Sequence, residues 1–142
     1  LSGDYLHHDY KSFDLVLVLG QPAFDLSDLT VPFSPKWKFG ASGTYTVPLG
    51  ASGSLGFTAS ANYQSEAQIA VFNNIYSQMS SRTLVDAAVS WKNEDERFRV
   101  TLWGKNLLKE KYRIGSNPVA GLWNMTNWGN PLSYGVELGF HF

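Results

Sequence analysis

Ser54-Leu55-Gly56-Phe57-Thr58-Ala59-Ser60-Ala61-Asn62-Tyr63-Gln64 is the segment that decides the fold. Leu55, Phe57, Ala59, Ala61 and Tyr63 occupy one parity; Ser54, Gly56, Thr58, Ser60, Asn62 and Gln64 occupy the other. Successive side chains of a strand point to opposite faces, so the segment reads as a β-strand with one apolar and one polar face. Strands of soluble folds more often run to about five or six residues. At about 3.3 Å per residue and a tilt of roughly 45°, a strand of ten to twelve residues comes close to the ~25 Å apolar band of a membrane barrel.

Upstream, residues 36–47 repeat the pattern. Trp37, Phe39, Ala41, Gly43, Tyr45 and Val47 alternate with Lys36, Lys38, Gly40, Ser42, Thr44 and Thr46. The Pro48–Gly53 connector breaks the ladder with Pro and Gly, so the two strands form a hairpin. Downstream, Thr83, Val85, Ala87, Val89 and Trp91 alternate with Arg82, Leu84, Asp86, Ala88 and Ser90. Phe98, Val100, Leu102 and Gly104 then alternate with Arg97, Arg99, Thr101, Trp103 and Lys105. Lys92-Asn93-Glu94-Asp95-Glu96 joins these two as a charged turn. A last strand over 132–142 sets Tyr134, Val136, Leu138, Phe140 and Phe142 against Ser133, Gly135, Glu137, Gly139 and His141, and a first strand is expected at about 3–13.

The fold class is therefore all-β, an antiparallel meander of about six long strands. Its connectors at 48–53 and 92–96 are short, while those at about 14–34, 66–80 and 112–131 are long. Short turns on one side and long loops on the other are the layout of an outer-membrane barrel. Aromatics near the strand ends (Trp37, Tyr45, Tyr63, Trp91, Tyr134) suit interfacial girdles.

Composition agrees. Aromatic content is 15%, charge only 16%, and Gly contributes 13 residues; soluble domains carry about 25% charge. Lys+Arg 11 against Asp+Glu 12 gives no basic excess for nucleic acid. Cysteine is absent, which removes disulfides, thiolate metal sites and a cysteine nucleophile. No run of about 18 apolar residues exists for a transmembrane helix. The chain opens at Leu1 rather than Met, which we read as a fragment or a processed chain.

Chemistry-bearing patterns are sparse. His7 and His8 would point to opposite faces of a regular strand and so would not share a metal. No Ser/His/Asp arrangement, phosphate-binding glycine loop or Glu-x-x-His spacing occurs, and Glu94-Asp95-Glu96 reads as a solvated turn. We expect no enzyme, no cofactor and no metal site. The polar parities carry Lys36, Lys38, Arg82, Arg97, Arg99 and Lys105 against Asp86 and Glu137. That basic surface would either attract anionic ligands or pair with carboxylates elsewhere. Phe72, Tyr76, Trp123 and Trp128 lie in the long loops, where they would bind substrate or pack loop against loop.

Several stretches resemble the TonB-dependent receptor family. In the last strand, Gly135, Leu138, Phe140 and Phe142 resemble the C-terminal signal read by the barrel-assembly machinery. Asp25-Leu26-Ser27 followed by Val31-Pro32-Phe33-Ser34-Pro35-Lys36-Trp37 resembles the family's lead into a strand. Ser80-Arg82-Leu84-Val85-Asp86 is similar to a strand opening, and Leu102-Trp103-Gly104-Lys105-Asn106-Leu107 with Tyr112 to a segment near the C-terminus. The resemblance covers nearly the whole chain. It implies that residues 1–142 are the C-terminal portion of a roughly 22-stranded transmembrane β-barrel, with the plug domain and earlier strands absent.

The resemblance further implies the bacterial outer membrane, its lipid as surroundings, and energised uptake of a scarce small-molecule nutrient such as a ferric siderophore. TonB would be met through the missing N-terminal part. With Phe142 on the periplasmic side, the long connectors face outward, apolar parities face lipid and polar parities the lumen. Two other readings compete. One is a complete small eight-stranded barrel (an adhesin or membrane-integrity protein) that gains strands at Leu15–Leu19 and within 112–131. The other is a soluble β-sandwich sugar-binding module.

Overall fold

A computed structural model describes residues 1–16, 19–73, 75–119 and 122–141. In chain order the elements are β1 (Ser2–Tyr5), β2 (Asp14–Leu15), β3 (Phe24–Asp25), β4 (Trp37–Pro48), β5 (Ser54–Gln64), β6 (Ala67–Gln68), β7 (Gln78–Met79), β8 (Arg82–Lys92), β9 (Phe98–Lys105), β10 (Arg113–Val119), β11 (Trp123–Trp128) and β12 (Ser133–Phe140). A six-stranded antiparallel sheet runs β1-β4-β5-β8-β9-β12. The other six strands make three small hairpins, one in each long connector.

Register carries the period-two pattern across the sheet. Tyr45, Phe57, Val89, Leu102 and Val136 form one continuous apolar row, and Val47, Leu55, Trp91, Val100 and Leu138 form the next. On the opposite face run Thr46, Gly56, Ser90, Thr101 and Glu137, and toward the other end Lys38, Gln64 and Arg82. A one-residue slip of any strand would put its apolar residues among polar ones, so the register is strongly specified.

The sheet is a single layer. Nothing described packs on its apolar face, and Tyr45 is 70% and Tyr134 80% exposed. The buried apolar cluster, Ala67, Ile69 and Met79, lies instead in the β6–β7 hairpin beyond the sheet's end. A β-sandwich would have covered the apolar face with a second sheet; the described residues supply none.

Two expectations are corrected. The first strand pairs only over Ser2–Tyr5, not to residue 13. One more bond, Leu6 N–H to the Lys36 carbonyl (2.9 Å), extends it, and then Pro35 ends the partner strand, since proline has no N–H to give the ladder. Nor do the segments proposed as extra strands of a small barrel join the sheet. Asp14–Leu15 pairs with Phe24–Asp25, and Arg113–Val119 pairs with Trp123–Trp128, each in its own hairpin. Leu17 and Val18 lie outside the described residues, as does Phe142.

Candidate functional site

All three long connectors leave the same end of the sheet, where β5 ends at Gln64, β8 begins at Arg82 and β9 ends at Lys105. The two short turns gather at the other end, joined by the Trp91 indole N–H donating to the Ser52 carbonyl (2.9 Å). Phe140 lies beside Phe98 at that short-turn end (5.0 Å between rings), in line with Trp91 (5.8 Å from Phe98). At the long-loop end a second aromatic run on the same apolar face links Tyr5, Trp37, Phe39 and Tyr63, with centroids 4.5, 5.8 and 6.1 Å apart.

The loops are held by individual side chains. Asp25 accepts the Ser27 hydroxyl (2.6 Å) and backbone N–H (2.9 Å), and Ser27 Oγ accepts the Phe13 N–H (3.0 Å). These bonds hold the Asp25 carboxyl below its ordinary value, the Ser27 hydroxyl contributing most. Asn73 ties the first long loop to the second: its Oδ1 accepts the Thr30 N–H and its Nδ2 donates to the Thr30 carbonyl (3.2 Å). The Phe33 N–H reaches the Gln68 carbonyl (2.7 Å).

The third loop is pinned by Asn106, which is 5% exposed and has φ +52°. Its backbone N–H donates to Asp86 Oδ1 (2.8 Å). Its side-chain amide donates to the carbonyls of Glu110 (2.9 Å) and Asn130 (3.0 Å) and accepts the Glu110 N–H (2.9 Å). One amide thus closes the base of the β10–β11 hairpin. Asn is suited to the left-handed region, which most residues avoid. Around it, a Cβ on Gly104 would lie 2.7 Å from Leu107 Cδ2, and a Cβ on Gly135 2.7 Å from Trp103 Cζ2. The two glycines leave room for the Leu107 and Trp103 side chains.

Two arginines connect the loops at the mouth. Arg82 donates to Gln64 Oε1 (3.2 Å) and the Arg113 carbonyl (3.4 Å), and lies over the Tyr112 ring at 4.4 Å. Arg113 donates to the carbonyls of Ile75 (3.1 Å), Tyr76 (3.3 Å) and Gln78 (3.3 Å), and lies 5.8 Å over the Trp128 ring.

Of the four loop aromatics singled out from sequence, Trp128 has its ring under Arg113, which also takes the backbone carbonyl of Tyr76. Phe72 and Trp123 sit toward the tips of separate hairpins; all four are exposed. In the terminal strand, Gly135 lies on the polar face, and Leu138 and Phe140 on the apolar face opposite Val100 and Phe98. His7 and His8 are past the end of β1, where His7 Nε2 is 3.1 Å from Asp9. Sequence reasoning gave no role to Arg113 and none to Asn106 beyond its motif. Lys-Asn-Leu at a strand end, with Asn in position to turn left-handed, was the available signal for Asn106; Arg113 carried none.

The "TonB dependent receptor-like, beta-barrel" family matches residues 4–107. The chain belongs to that family. Its members are outer-membrane transporters rather than enzymes, which places the chain in the bacterial outer membrane. Among solved structures, the chain is similar to the ferric yersiniabactin uptake receptor FyuA from Yersinia pestis. The TM-score is 0.70 at 18% identity, over 79% of this chain and 17% of that one. The chain therefore spans under a fifth of that receptor's length. No curated protein matches it.

Proposed function

We propose that the chain is the C-terminal wall of an outer-membrane transporter that takes up a scarce nutrient, such as a ferric siderophore, with energy delivered through TonB. The observation that carries this is the family match over residues 4–107; the likeness to a siderophore receptor supports the choice of nutrient class. The unpacked apolar face would meet lipid and the polar face the lumen. The two aromatic runs bracket Tyr63 to Leu55, eight residues or about 26 Å of strand, which rises about 20 Å at a tilt near 40°. That suits the thin apolar core of a bacterial outer membrane. The long-loop end faces outward, and Phe72, Tyr76, Trp123 and Trp128 meet the ligand there.

β12 is the last strand of the six-stranded sheet, and among the described residues no strand pairs with its outer side. It is suited to templated pairing by the barrel-assembly machinery through the pattern Gly135, Leu138, Phe140 and Phe142.

The test is uptake of radiolabelled iron chelates by cells carrying the full-length receptor, with and without TonB. Energised uptake is expected, and replacing Trp123 and Trp128 by Ala should lower it while receptor levels hold. Uptake indifferent to TonB would defeat the reading.

A further inference from the structure

Parity guards the sheet against a slip of one residue but not of two, because side chains alternate with period two. Where a short turn joins two strands, as between β4 and β5 or β8 and β9, the turn itself holds the register. β12 has no such turn and meets β9 across the long connector 106–132. Slipped by two in either direction it would still set apolar against apolar, with Tyr134 or Leu138 opposite Leu102 in place of Val136. The Arg99–Glu137 ion pair would survive one of these slips, which brings the two residues directly opposite. Asn106 closes the base of the connector on the Asn130 carbonyl, but Pro131 and Leu132, outside any strand, lie between that bond and β12.

One facing pair does discriminate. Among the described strands of the six-stranded sheet, Trp103 is the one aromatic on the polar parity, and it stands between Ala88 and Gly135. Its indole lies across Gly135, where an added Cβ would come within 2.7 Å of Trp103 Cζ2 and 3.0 Å of Cε2. A slip of two puts Ser133 or Glu137 opposite Trp103, and either brings a Cβ into the place the ring occupies. The connector repeats the arrangement. A Cβ on Gly129 would collide with the Tyr112 ring, and the Gly129 N–H donates to the Tyr112 carbonyl (2.8 Å). In both cases the aromatic stands on the outgoing limb and the glycine on the returning one.

We propose that Trp103 is a positioning residue: its indole, seated over Gly135, sets β12 on β9 in a single register and so fixes where the last strand stands in the wall. A slip of two would carry Leu138 and Phe140 about 6.6 Å along the wall. The assignment is independent of what the receptor takes up.

The test reads register by disulfide trapping in the full-length receptor, in isolated outer membranes. Leu102→Cys with Val136→Cys reports the observed register; Leu102→Cys with Tyr134→Cys, or with Leu138→Cys, reports the two slips. Facing residues are about 4.5–5.5 Å apart between Cα atoms, within disulfide reach, and residues displaced by two places are beyond it. With Trp103 and Gly135 in place, only the first pair should close. Gly135→Val and Trp103→Ala should each lose that product and gain one of the slipped ones. Trp103→Gly with Gly135→Trp moves the ring to the other strand. Facing residues of an antiparallel pair are related by a local two-fold, so this exchange should restore the first product.

The first product at its wild-type level in both single variants would overturn the proposal. If the single variants do not reach the membrane, the reciprocal exchange decides. Recovered receptor levels with the first product would support the assignment, and failure to recover them would overturn it.

Discussion

The sheet and the loops above it reach order by opposite means. In the wall, five strands share apolar rows such as Tyr45–Phe57–Val89–Leu102–Val136, and no side chain on them is individually decisive for the pattern. Order comes from repetition and register, and the apolar side chains gain their stability from whatever covers the face. In the loops, the buried cluster among the described residues is Ala67, Ile69 and Met79, and single polar side chains hold the chain: Asn73, Asn106, Arg113, Asp25. The wall tolerates many changes that respect parity. The loops tolerate few changes at their pins.

The sharpest break of this contrast is a charge on the wrong face. Phe57→Arg or Val89→Arg should lower outer-membrane levels of the full-length receptor severely, since a cation near mid-membrane costs about 2–4 kcal/mol on the lipid side. Ser60→Arg and Ser90→Arg, one face over, should be nearly neutral. Immunoblots of purified outer membranes measure both, and equal losses on the two parities would defeat the lipid and lumen assignment.

Next in size is the loss of a loop pin. Asn106→Ala removes three side-chain hydrogen bonds from a buried group and leaves a residue poorly suited to φ +52°. At about 1 kcal/mol per bond, a local loss of about 2–3 kcal/mol is expected. It should appear as faster hydrogen exchange and protease cutting within 107–131, with receptor levels preserved. Asn106→Gly restores the backbone freedom but not the bonds, so it should recover only a small part.

These two cases explain what could be read in advance. Period-two alternation needs no knowledge of partners, so β4, β5, β8, β9 and β12 were legible to within a residue or two. The β1 boundary was not, because it depends on where Pro35 ends the neighbouring strand. The small hairpins inside the long connectors are held by contacts between residues far apart in sequence, such as Thr30 with Asn73. The loop aromatics could be named for their exposure and type, but that Arg113 takes the Tyr76 carbonyl and lies over the Trp128 ring follows from folding alone.

A smaller effect separates two glycines of the wall. A side chain on Gly135 would strike the Trp103 indole, whereas nothing lies within 4 Å of a Cβ on Gly43. Gly135→Val should therefore cost about 1–3 kcal/mol through displaced packing, and Gly43→Ala very little. Urea unfolding of the receptor in lipid vesicles ranks them. If both behave alike, the role of Gly135 lies in assembly rather than in making room for Trp103.

The smallest expected effect is a pH dependence confined to the loops. The Asp25 carboxyl is held below its ordinary value of 3.8, chiefly by the Ser27 hydroxyl and then by the Ser27 N–H. A carboxyl whose folded value is depressed stabilises the fold above the unfolded value. That contribution declines as the pH falls below 3.8 and is gone once the folded value is passed. The bonds concerned tie Ser27 to Asp25 and to Phe13, so acid should loosen residues 13–27 before it touches the sheet. Asp25 is exposed, and salt should weaken the effect further. Hydrogen exchange of this segment, measured downward from neutral pH with the β5–β8 ladder as internal reference, should rise in wild type. Asp25→Asn keeps an acceptor without a titrating charge, so its loop should be looser at neutral pH and show no such rise. If the acid response survives in Asp25→Asn, another group sets it, and the loop's order rests on Ser27 and Phe13 rather than on the carboxylate.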